Sequence, residues 1–241
     1  MQILIILRTL LSYFLGLITA AIFLPIAIII LILPEKIRPT KLFFFLLYLF
    51  YEAILRCFLM PIKIIGKENL LKNKAVIFVA NHQSALDIPL VGILSQGQPH
   101  LWLVLEYYQN KLILGFFIKK LFIAVNQQSK LQSAKSLIKA IRKLLDSPQN
   151  LVIFPEGGRF TDGKIHRFFE GFAVITQKTN YPVIPVYLVN NAKIYPPFSF
   201  LMYYHEIKAI VGKPMFMESN ETPKDFTKRV HNWFEEQLEG K

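Results

Sequence analysis

Apolar positions divide this chain into two long N-terminal blocks and a remainder of short, alternating elements. Residues 9–33 carry no charged side chain, and a helix of that length can cross the ~30 Å hydrocarbon layer of a bilayer. Residues 41–62 form the second block, which contains Glu52 and Arg56. Pro25 interrupts the first block and predicts a kink there. The pattern predicts an N-terminal hydrophobic helical hairpin over residues 1–62.

The two charges in the second block bear on how the hairpin meets a membrane. Glu52 and Arg56 lie one helical turn apart, so they share a face and can pair. Each ionised group near the bilayer centre still costs about 2.5–3.5 kcal/mol. We therefore expect a hairpin that dips into one leaflet, with two full spans as the alternative. A cleaved signal peptide fits poorly, because the first block is far longer than the usual ~7–15-residue signal core.

From residue 63 onward the pattern is typical of an α/β domain. Short, β-branched apolar runs that indicate buried strands alternate with helical stretches. These runs occupy residues 75–80, 101–105, 121–125, 151–154, 183–189 and 207–211. The expected fold is α/β, with a central mixed sheet flanked by helices, and it forms a second domain over residues 63–241.

The clearest helix of this domain covers residues 130–146, and a closing helix is predicted over residues 222–238. In the first of these, apolar side chains recur at helical spacing and are expected to face the core. They are Leu131, Ala134, Ile138, Ile141 and Leu145. Lysine and arginine cover the other side. That basic side is either simply solvated or, beside a membrane anchor, suited to anionic headgroups or an acidic carrier protein.

Composition and charge narrow the class of protein further. Apolar residues make up 53% of the chain and charged residues 18%, which is more apolar than a typical soluble domain. The net charge is +12, and the excess lies before residue 181. A basic chain can bind nucleic acid, but the hairpin and the absence of a recognised motif argue against that partner. Cys57 is the single cysteine, so neither a disulfide framework nor a cysteine zinc site is expected.

His82 and Asp87 lie in the sequence ANHQSALD over residues 80–87, where a predicted strand meets a helix that begins near Leu86. At such a corner a side chain can face a cleft. If Asp87 folds back onto one imidazole nitrogen, the other nitrogen can remove a proton from a hydroxyl. The alternative is structural, because Ser84 and Asp87 have the spacing of a capping box, and Asp87 can also be the N-cap itself.

A second motif, LVIFPEGGR over residues 151–159, places a carboxylate, two glycines and a guanidinium after another predicted strand. Gly157 and Gly158 let backbone N–H groups approach an anion closely, and the planar fork of Arg159 suits a phosphate. Glu156 can orient a substrate hydroxyl or Arg159 itself. The alternative is a tight turn with a Glu–Arg surface pair.

Taken together, the two motifs resemble the glycerolipid acyltransferase family typified by 1-acylglycerol-3-phosphate acyltransferases. The blocks of that family read N-H-x-S-x-x-D and F-P-E-G-T-R, against NHQSALD and FPEGGR here. Residues 115–127 resemble a third block, residues 183–185 a final I-P block, and FFEGF over residues 168–172 an F-K-x-G segment. The resemblance covers roughly residues 63–215.

The resemblance implies acyl transfer from a fatty acyl thioester to the free hydroxyl of a lysophospholipid, most simply lysophosphatidic acid. His82 would be the general base, and Asp87 would hold its tautomer. Substrate contacts would come from Asn81, Ser84, Glu156, Gly157, Gly158 and Arg159. Acyl-CoA or acyl carrier protein would be the donor, with no bound cofactor or metal. The protein would be membrane-bound, with its catalytic domain on the cytoplasmic face.

The sequence departs from the family pattern at four positions. Gly158 replaces a threonine, Phe160 follows Arg159 where serine is common, and Gln127 and Leu105 stand where many members carry arginine and lysine. Two cationic positions are thereby lost, which bears on the acceptor headgroup. An acyltransferase for another lysophospholipid is therefore the first alternative. A non-catalytic, membrane-anchored lipid-binding protein is the second.

Overall fold

A computed structural model describes residues 2–106, 112–125 and 129–240. Its helices are α1 (Gln2–Ile32), α2 (Thr40–Cys57), α3 (Asp87–Gly92), α4 (Leu112–Leu121), α5 (Lys130–Asp146), α6 (Gly171–Thr179), α7 (Asn191–Ile194) and α8 (Pro223–Glu239). Its strands are β1 (Ile62–Ile65), β2 (Ile77–Ala80), β3 (His100–Leu105), β4 (Phe122–Val125), β5 (Asn150–Ile153), β6 (Val183–Val189) and β7 (Ile207–Val211).

The seven strands form one sheet in the order β1-β7-β6-β2-β5-β3-β4. All neighbouring pairs are parallel except β6 and β7, which are antiparallel. The sheet is therefore mixed, as expected. Because β2, β5 and β6 run in one direction side by side, their carboxyl ends meet at one edge of the sheet, where ligands bind in open α/β folds.

The central strands are continuous apolar runs because helices cover both faces of the sheet. Every residue of β2 and β5 is buried. One face packs against α2 and α3 in a core that includes Leu55, Phe78 and Leu90. The other face packs against α5, α6 and α8 in a core that includes Val79 and Phe172. The expected α/β class is confirmed.

Strand β1 is the one element of the sheet that the apolar pattern did not indicate. Its residues are mostly exposed, and it pairs only with β7, at the edge of the sheet. A short, half-exposed edge strand lacks the continuous apolar run of a central one. The sequence therefore assigned Ile62 to the second apolar block, whereas α2 ends at Cys57 and Ile62 begins β1.

The N-terminal hairpin contacts the α/β domain through α2 and through the first turns of α1. Phe23 of α1 stacks on Phe50 of α2 with ring centroids 4.3 Å apart, and Leu55 of α2 is fully buried in the core shared with the sheet. At the other end of α1, Met202 donates its backbone N–H to the Thr9 hydroxyl at 3.1 Å. A division into domains at residue 62 stays a prediction, and the hairpin and the sheet share one core.

Helix α1 is the one helix in the described ranges that is long and apolar enough to cross a membrane, with a mean hydropathy of 2.9 over its most apolar window. Only 17% of that window is buried. The helix continues through Pro25. In α2, Arg56 and Glu52 form the expected i,i+4 ion pair, with 3.7 Å between nitrogen and oxygen.

The predicted buried face of α5 is wrong except at Ile141, which packs against the core. Leu131, Ile138 and Leu145 are 65%, 49% and 56% exposed. The buried stripe instead contains Ala140 and Leu144, with Leu137 and Ile141 partly buried against the same core. The helix carries two neighbouring apolar stripes at helical spacing, and periodicity alone does not say which one meets the core. The contacts with β4 and α6 decide it.

The packing of α2 on α3 gives a stability prediction. A Cβ on Gly92 would lie 2.4 Å from two ring atoms of Tyr51, and that ring is buried. Gly92→Ala should therefore lower the free energy of unfolding by about 1–3 kcal/mol through overpacking. Thermal unfolding of the full chain in detergent measures this.

Gly16→Ala, in α1, is the matched control, because nothing lies within 4 Å of its added Cβ. Alanine favours a helix over glycine by up to about 1 kcal/mol, so this variant should unfold at the same or a higher temperature. Equal unfolding temperatures for Gly92→Ala and the parent chain would contradict the close packing of α2 on α3.

Candidate active site

The site begins where β2 ends, and Asn81 fixes the chain at that point. Its side-chain amide donates to the carbonyl of Leu188 at 3.1 Å and accepts from the N–H of Leu188 at 2.7 Å. This pair extends the ladder between β2 and β6 by one side chain. Asn81 is 1% exposed, so its amide serves the backbone of β6 in this structure.

His82 and Asp87 are in direct contact across the corner. Nδ1 of His82 lies 2.7 Å from Oδ2 of Asp87, and the carboxylate is fully buried. The same oxygen accepts the backbone N–H groups of Gln83 and Ser84 at 2.6 and 2.8 Å. Asp87 therefore holds both the turn and the ring, because it accepts the Ser84 N–H as in a capping box and also contacts the imidazole. It is not the N-cap itself, since α3 begins at Asp87 and Leu86 is the N-cap residue.

Ser84 forms only half of the expected capping box. Its backbone N–H binds Asp87, but its hydroxyl accepts from the N–H of Leu86 at 3.3 Å and donates to the carbonyl of Tyr195 at 2.6 Å. The hydroxyl thereby connects the corner to the segment that follows α7.

Arg159 meets the other nitrogen of the imidazole. Its Nε–H donates to Nε2 of His82 at 3.2 Å, which requires a lone pair on Nε2 and so places the ring proton on Nδ1. That proton faces the Asp87 carboxylate. Both contacts select the same tautomer, the one in which Nε2 can act as a base.

Phe154 sets the plane of the imidazole. Its ring stacks on His82 with centroids 4.0 Å apart and an interplanar angle of 9°. Trp102 lies behind it, with a centroid separation of 5.9 Å. The histidine side chain is 13% exposed, so the ring is held between an aromatic wall and Arg159 and retains an edge open to the cleft.

Glu156 joins the two sequence motifs through backbone amides. Its Oε2 accepts the N–H of His82 at 2.8 Å, and its Oε1 accepts the N–H of His166 at 3.0 Å. Burial raises the pKa of this carboxyl, while the two amide donors act to lower it. Within the described ranges Glu156 forms no ion pair with Arg159, so its contacts in this structure are structural.

Gly157 and Gly158 differ in whether the backbone could accept another residue. Gly157 has φ of +70°, a conformation that favours glycine. A Cβ on Gly158 would make an ordinary 3.5 Å contact with the Phe160 ring, so the family's usual threonine is not excluded there by the backbone. The N–H groups of Gly157 and Phe160 donate to the carbonyls of Phe154 and His82, which closes the loop around the imidazole.

Asn191 belongs to the site although no sequence signal marked it. Its Nδ2 donates to Oδ1 of Asp87 at 2.8 Å, and it is fully buried. Asn191 follows β6, which neighbours β2, so the adjacency of their carboxyl ends brings the two residues together. Phe154 was inside a recognised motif, but only the fold shows its contact with His82.

Two departures from the family pattern cannot be located at the site. Gln127 lies outside the described residues, and so does the side chain of Leu105. Among the described residues, no group of three or more histidine, cysteine, aspartate or glutamate side chains could hold a metal ion.

The protein is an α/β protein with a mixed sheet, and a histidine–aspartate pair lies at the carboxyl edge of its parallel strands. The Acyltransferase family model matches residues 61–189, which is more than half of the chain. The chain therefore belongs to the Acyltransferase family, and the resemblance drawn from the two motifs is confirmed.

Its relatives include 1-acyl-sn-glycerol-3-phosphate acyltransferases. A chloroplastic one from Brassica napus is 29% identical over 153 residues, covering 63% of this chain and 44% of the relative. One from Helicobacter pylori is 31% identical over 136 residues, covering 50% and 51%. The matches thus span about half the length of these relatives. The crystal structure of the acyltransferase PlsC from Thermotoga maritima shares the fold, with a TM-score of 0.79 and 21% identity over 99% of this chain and 97% of that one.

The Asp87 contacts predict a separation of stability from turnover. In Asp87→Asn the new amide oxygen can accept the three donors now on Oδ2, and Asn191 can rotate to offer its Oδ1, which has no partner among the described residues. The free energy of unfolding should change little. Acyl-transfer turnover should fall by about 10²–10⁴-fold, because the charge that supports a protonated imidazole is gone.

Asn191→Asp is the control, since it would bring two buried carboxylates together and should destabilise the protein. Combining it with Asp87→Asn should recover part of that stability without restoring turnover. Normal turnover in Asp87→Asn alone would mean that the carboxylate acts only as a cap.

Proposed function

We propose that this chain is a membrane-bound acyltransferase that moves a fatty acyl group from a thioester to the free hydroxyl of lysophosphatidic acid, giving phosphatidic acid. The observation that carries the proposal is the 2.7 Å contact between His82 Nδ1 and the buried Asp87 carboxylate. It lies within the segment that matches the Acyltransferase family.

The geometry supports direct transfer between the two substrates. Nε2 of His82 removes the proton of the acceptor hydroxyl as its oxygen attacks the thioester carbonyl, and Asp87 stabilises the imidazolium that forms. The tetrahedral intermediate then collapses, the carbon–sulfur bond breaks, and the imidazolium returns the proton to the thiolate. The only cysteine, Cys57, lies in α2 outside the site, and the Ser84 hydroxyl donates to the Tyr195 carbonyl rather than to His82, so the proposal uses no acyl-enzyme step.

Arg159 connects acceptor binding to this chemistry. In the structure its Nε–H occupies the lone pair of Nε2 that the acceptor hydroxyl needs. A phosphate that binds the guanidinium through two parallel hydrogen bonds would draw it away from the imidazole. Arg159 would then bind the acceptor phosphate, and binding would free the base in the same event.

The acceptor is inferred from the relatives and from Arg159 together. The matched relatives are named as 1-acyl-sn-glycerol-3-phosphate acyltransferases, and a guanidinium at the base suits a phosphomonoester. Glu156 and Asn81, expected from the sequence to contact the substrate, are proposed instead to be positioning residues, because their polar atoms bind backbone groups. Another lysophospholipid headgroup is the nearest alternative, and a non-catalytic lipid-binding protein is the alternative of a different class.

The class of acyl donor is inferred from the charge of the chain, and the face of the membrane is inferred from where that donor is found. Acyl-CoA and acyl carrier protein are anionic, and this chain carries a net charge of +12, which favours their approach. Both donors are cytosolic, so we assign the catalytic domain to the cytoplasmic face. No resident cofactor or metal is needed for this reaction.

The hairpin is proposed to lie within one leaflet. Thr9 of α1 binds the backbone of Met202, and Leu55 of α2 is buried in the core of the α/β domain. A helix held against the domain near its start, and packed through α2 on the core, suits an interfacial position more than a crossing. Two full spans are the alternative.

A single assay tests the function as a whole. The purified full chain in detergent, given labelled acyl-CoA or acyl carrier protein and a panel of lyso-acceptors, should transfer the acyl group to lysophosphatidic acid. Preference for another acceptor would select the alternative headgroup. Binding of lipid without transfer to any acceptor would overturn the enzymatic proposal.

His82→Ala should lower turnover by about 10²–10⁴-fold, the usual contribution of a general base, while the protein remains folded and bound to membranes. The side chain is partly exposed to the cleft, so its loss leaves the core intact. Turnover, circular dichroism and co-sedimentation with vesicles check the activity, the fold and the membrane binding in turn. Retention of more than about a hundredth of the parent turnover would argue against general-base catalysis.

Arg159→Lys tests the phosphate assignment, because lysine keeps the charge and loses the fork. The Michaelis constant for lysophosphatidic acid should rise markedly, with little change in that of the donor. A lyso-acceptor without a phosphomonoester should be affected less. An equal fall in turnover for all acceptors at saturation would instead assign Arg159 to the reacting centre.

A further inference from the structure

Residues 195–204, the aromatic segment, form an uncharged surface beside the first turns of α1. The sequence is YPPFSFLMYY. Phe198 is fully exposed, and Phe200 and Tyr204 are 57% and 60% exposed. So many exposed aromatic side chains in one short segment form an apolar patch of the kind that marks an interaction surface.

The backbone at Phe198 adopts a conformation that is unfavourable for a phenylalanine. Its φ is +65°, in the left-handed region that is an outlier for a bulky residue. Pro196 and Pro197 precede it and restrict the approach of the chain. The strained backbone therefore presents a large apolar ring to the outside of the protein rather than to its core.

Polar and aromatic contacts hold this segment against α1. The Arg8 guanidinium donates to the Met202 carbonyl and lies over the Tyr204 ring, 5.3 Å from its centroid. The Tyr13 ring stacks on Phe200 with centroids 5.1 Å apart. The aromatic segment and the start of α1 therefore form one rigid surface.

The exposed side of α1 is apolar as well. Its exposed large apolar residues near these contacts are Leu4, Leu7, Leu10, Leu11, Phe14 and Leu17. Aromatic rings, and tyrosine in particular, are favoured where a membrane meets water, and arginine near a helix end reaches toward that zone. The occupant that fits this combination is the interfacial zone of a lipid bilayer.

The same segment is tied to the catalytic corner. The Tyr195 carbonyl accepts the Ser84 hydroxyl at 2.6 Å, and Asn191, four residues earlier, binds Asp87. We propose that the aromatic segment is a second membrane-contact element, separate from the helical hairpin, which inserts at the bilayer interface and sets the depth of the His82–Asp87 pair. The proposal rests on the proposed function in that the acceptor is a membrane lipid.

A site-specific dye tests the contact directly. Cys57→Ser removes the only cysteine, and Phe198→Cys then carries an environment-sensitive dye in the full chain reconstituted into vesicles of phosphatidylcholine and phosphatidylglycerol. A spin label on the lipid near its headgroup should quench this dye, and aqueous iodide should reach it poorly. Phe216→Cys is the matched control, because Phe216 is 53% exposed and lies beyond β7, away from α1; its dye should show the reverse pattern.

Iodide quenching at position 198 as strong as at position 216 would overturn the proposal. Protection at position 198 that appears only as protein concentration rises would also overturn it, by indicating a second copy of the chain. The dye measurement requires no turnover, so a failure of the proposed function would leave its result intact.

Phe198→Gly supplies a second readout, because glycine accepts the positive φ and should not destabilise the fold. The kcat/KM on vesicle-borne lysophosphatidic acid should fall about threefold to tenfold, a fraction of what full burial of a phenylalanine is worth. Transfer to detergent-dispersed acceptor should be unchanged, and Phe216→Ala should alter neither. Equal losses in both assays would place the effect in the active site and contradict membrane contact.

Discussion

The buried carboxylate of Asp87 is the group on which the site depends. It accepts an imidazole N–H, two backbone N–H groups and the amide of Asn191. A carboxylate removed from water needs such donors, because an unpaired buried charge is very costly. The same donors shape the corner, so one carboxylate holds both the turn at residues 82–84 and the His82 ring.

Three adjacent strands of the sheet position the other residues around His82. Asn81 binds the backbone of β6, and Glu156, after β5, accepts the N–H of His82. Phe154 adds a stacking partner for the imidazole. These contacts come from the ends of β2 and β5 and from the backbone of β6, all at the same edge. The parallel arrangement of β5, β2 and β6 therefore holds His82 in a defined geometry.

The His82–Asp87 pair is bordered by solvent on one side and by the chain beside α1 on the other. On one side Arg159 lies against Nε2 of His82 and is exposed to solvent. On the other, Ser84 and Asn191 connect the corner to the chain beside α1. The hairpin shares a core with the sheet, so the apolar surface of the molecule and its catalytic edge are parts of one packed body.

The sequence by itself determined the class of fold and singled out the His82–Asp87 pair. Continuous apolar runs identified every central strand because burial on both faces leaves no polar alternation. The NHQSALD motif identified His82 and Asp87 because a turn brings residues close in sequence together. Only the tertiary structure decided which stripe of α5 is buried, that Ile62–Ile65 pairs at the sheet edge, and that Asn191 and Arg159 bind the pair. These features depend on contacts between residues distant along the chain, which neither periodicity nor spacing records.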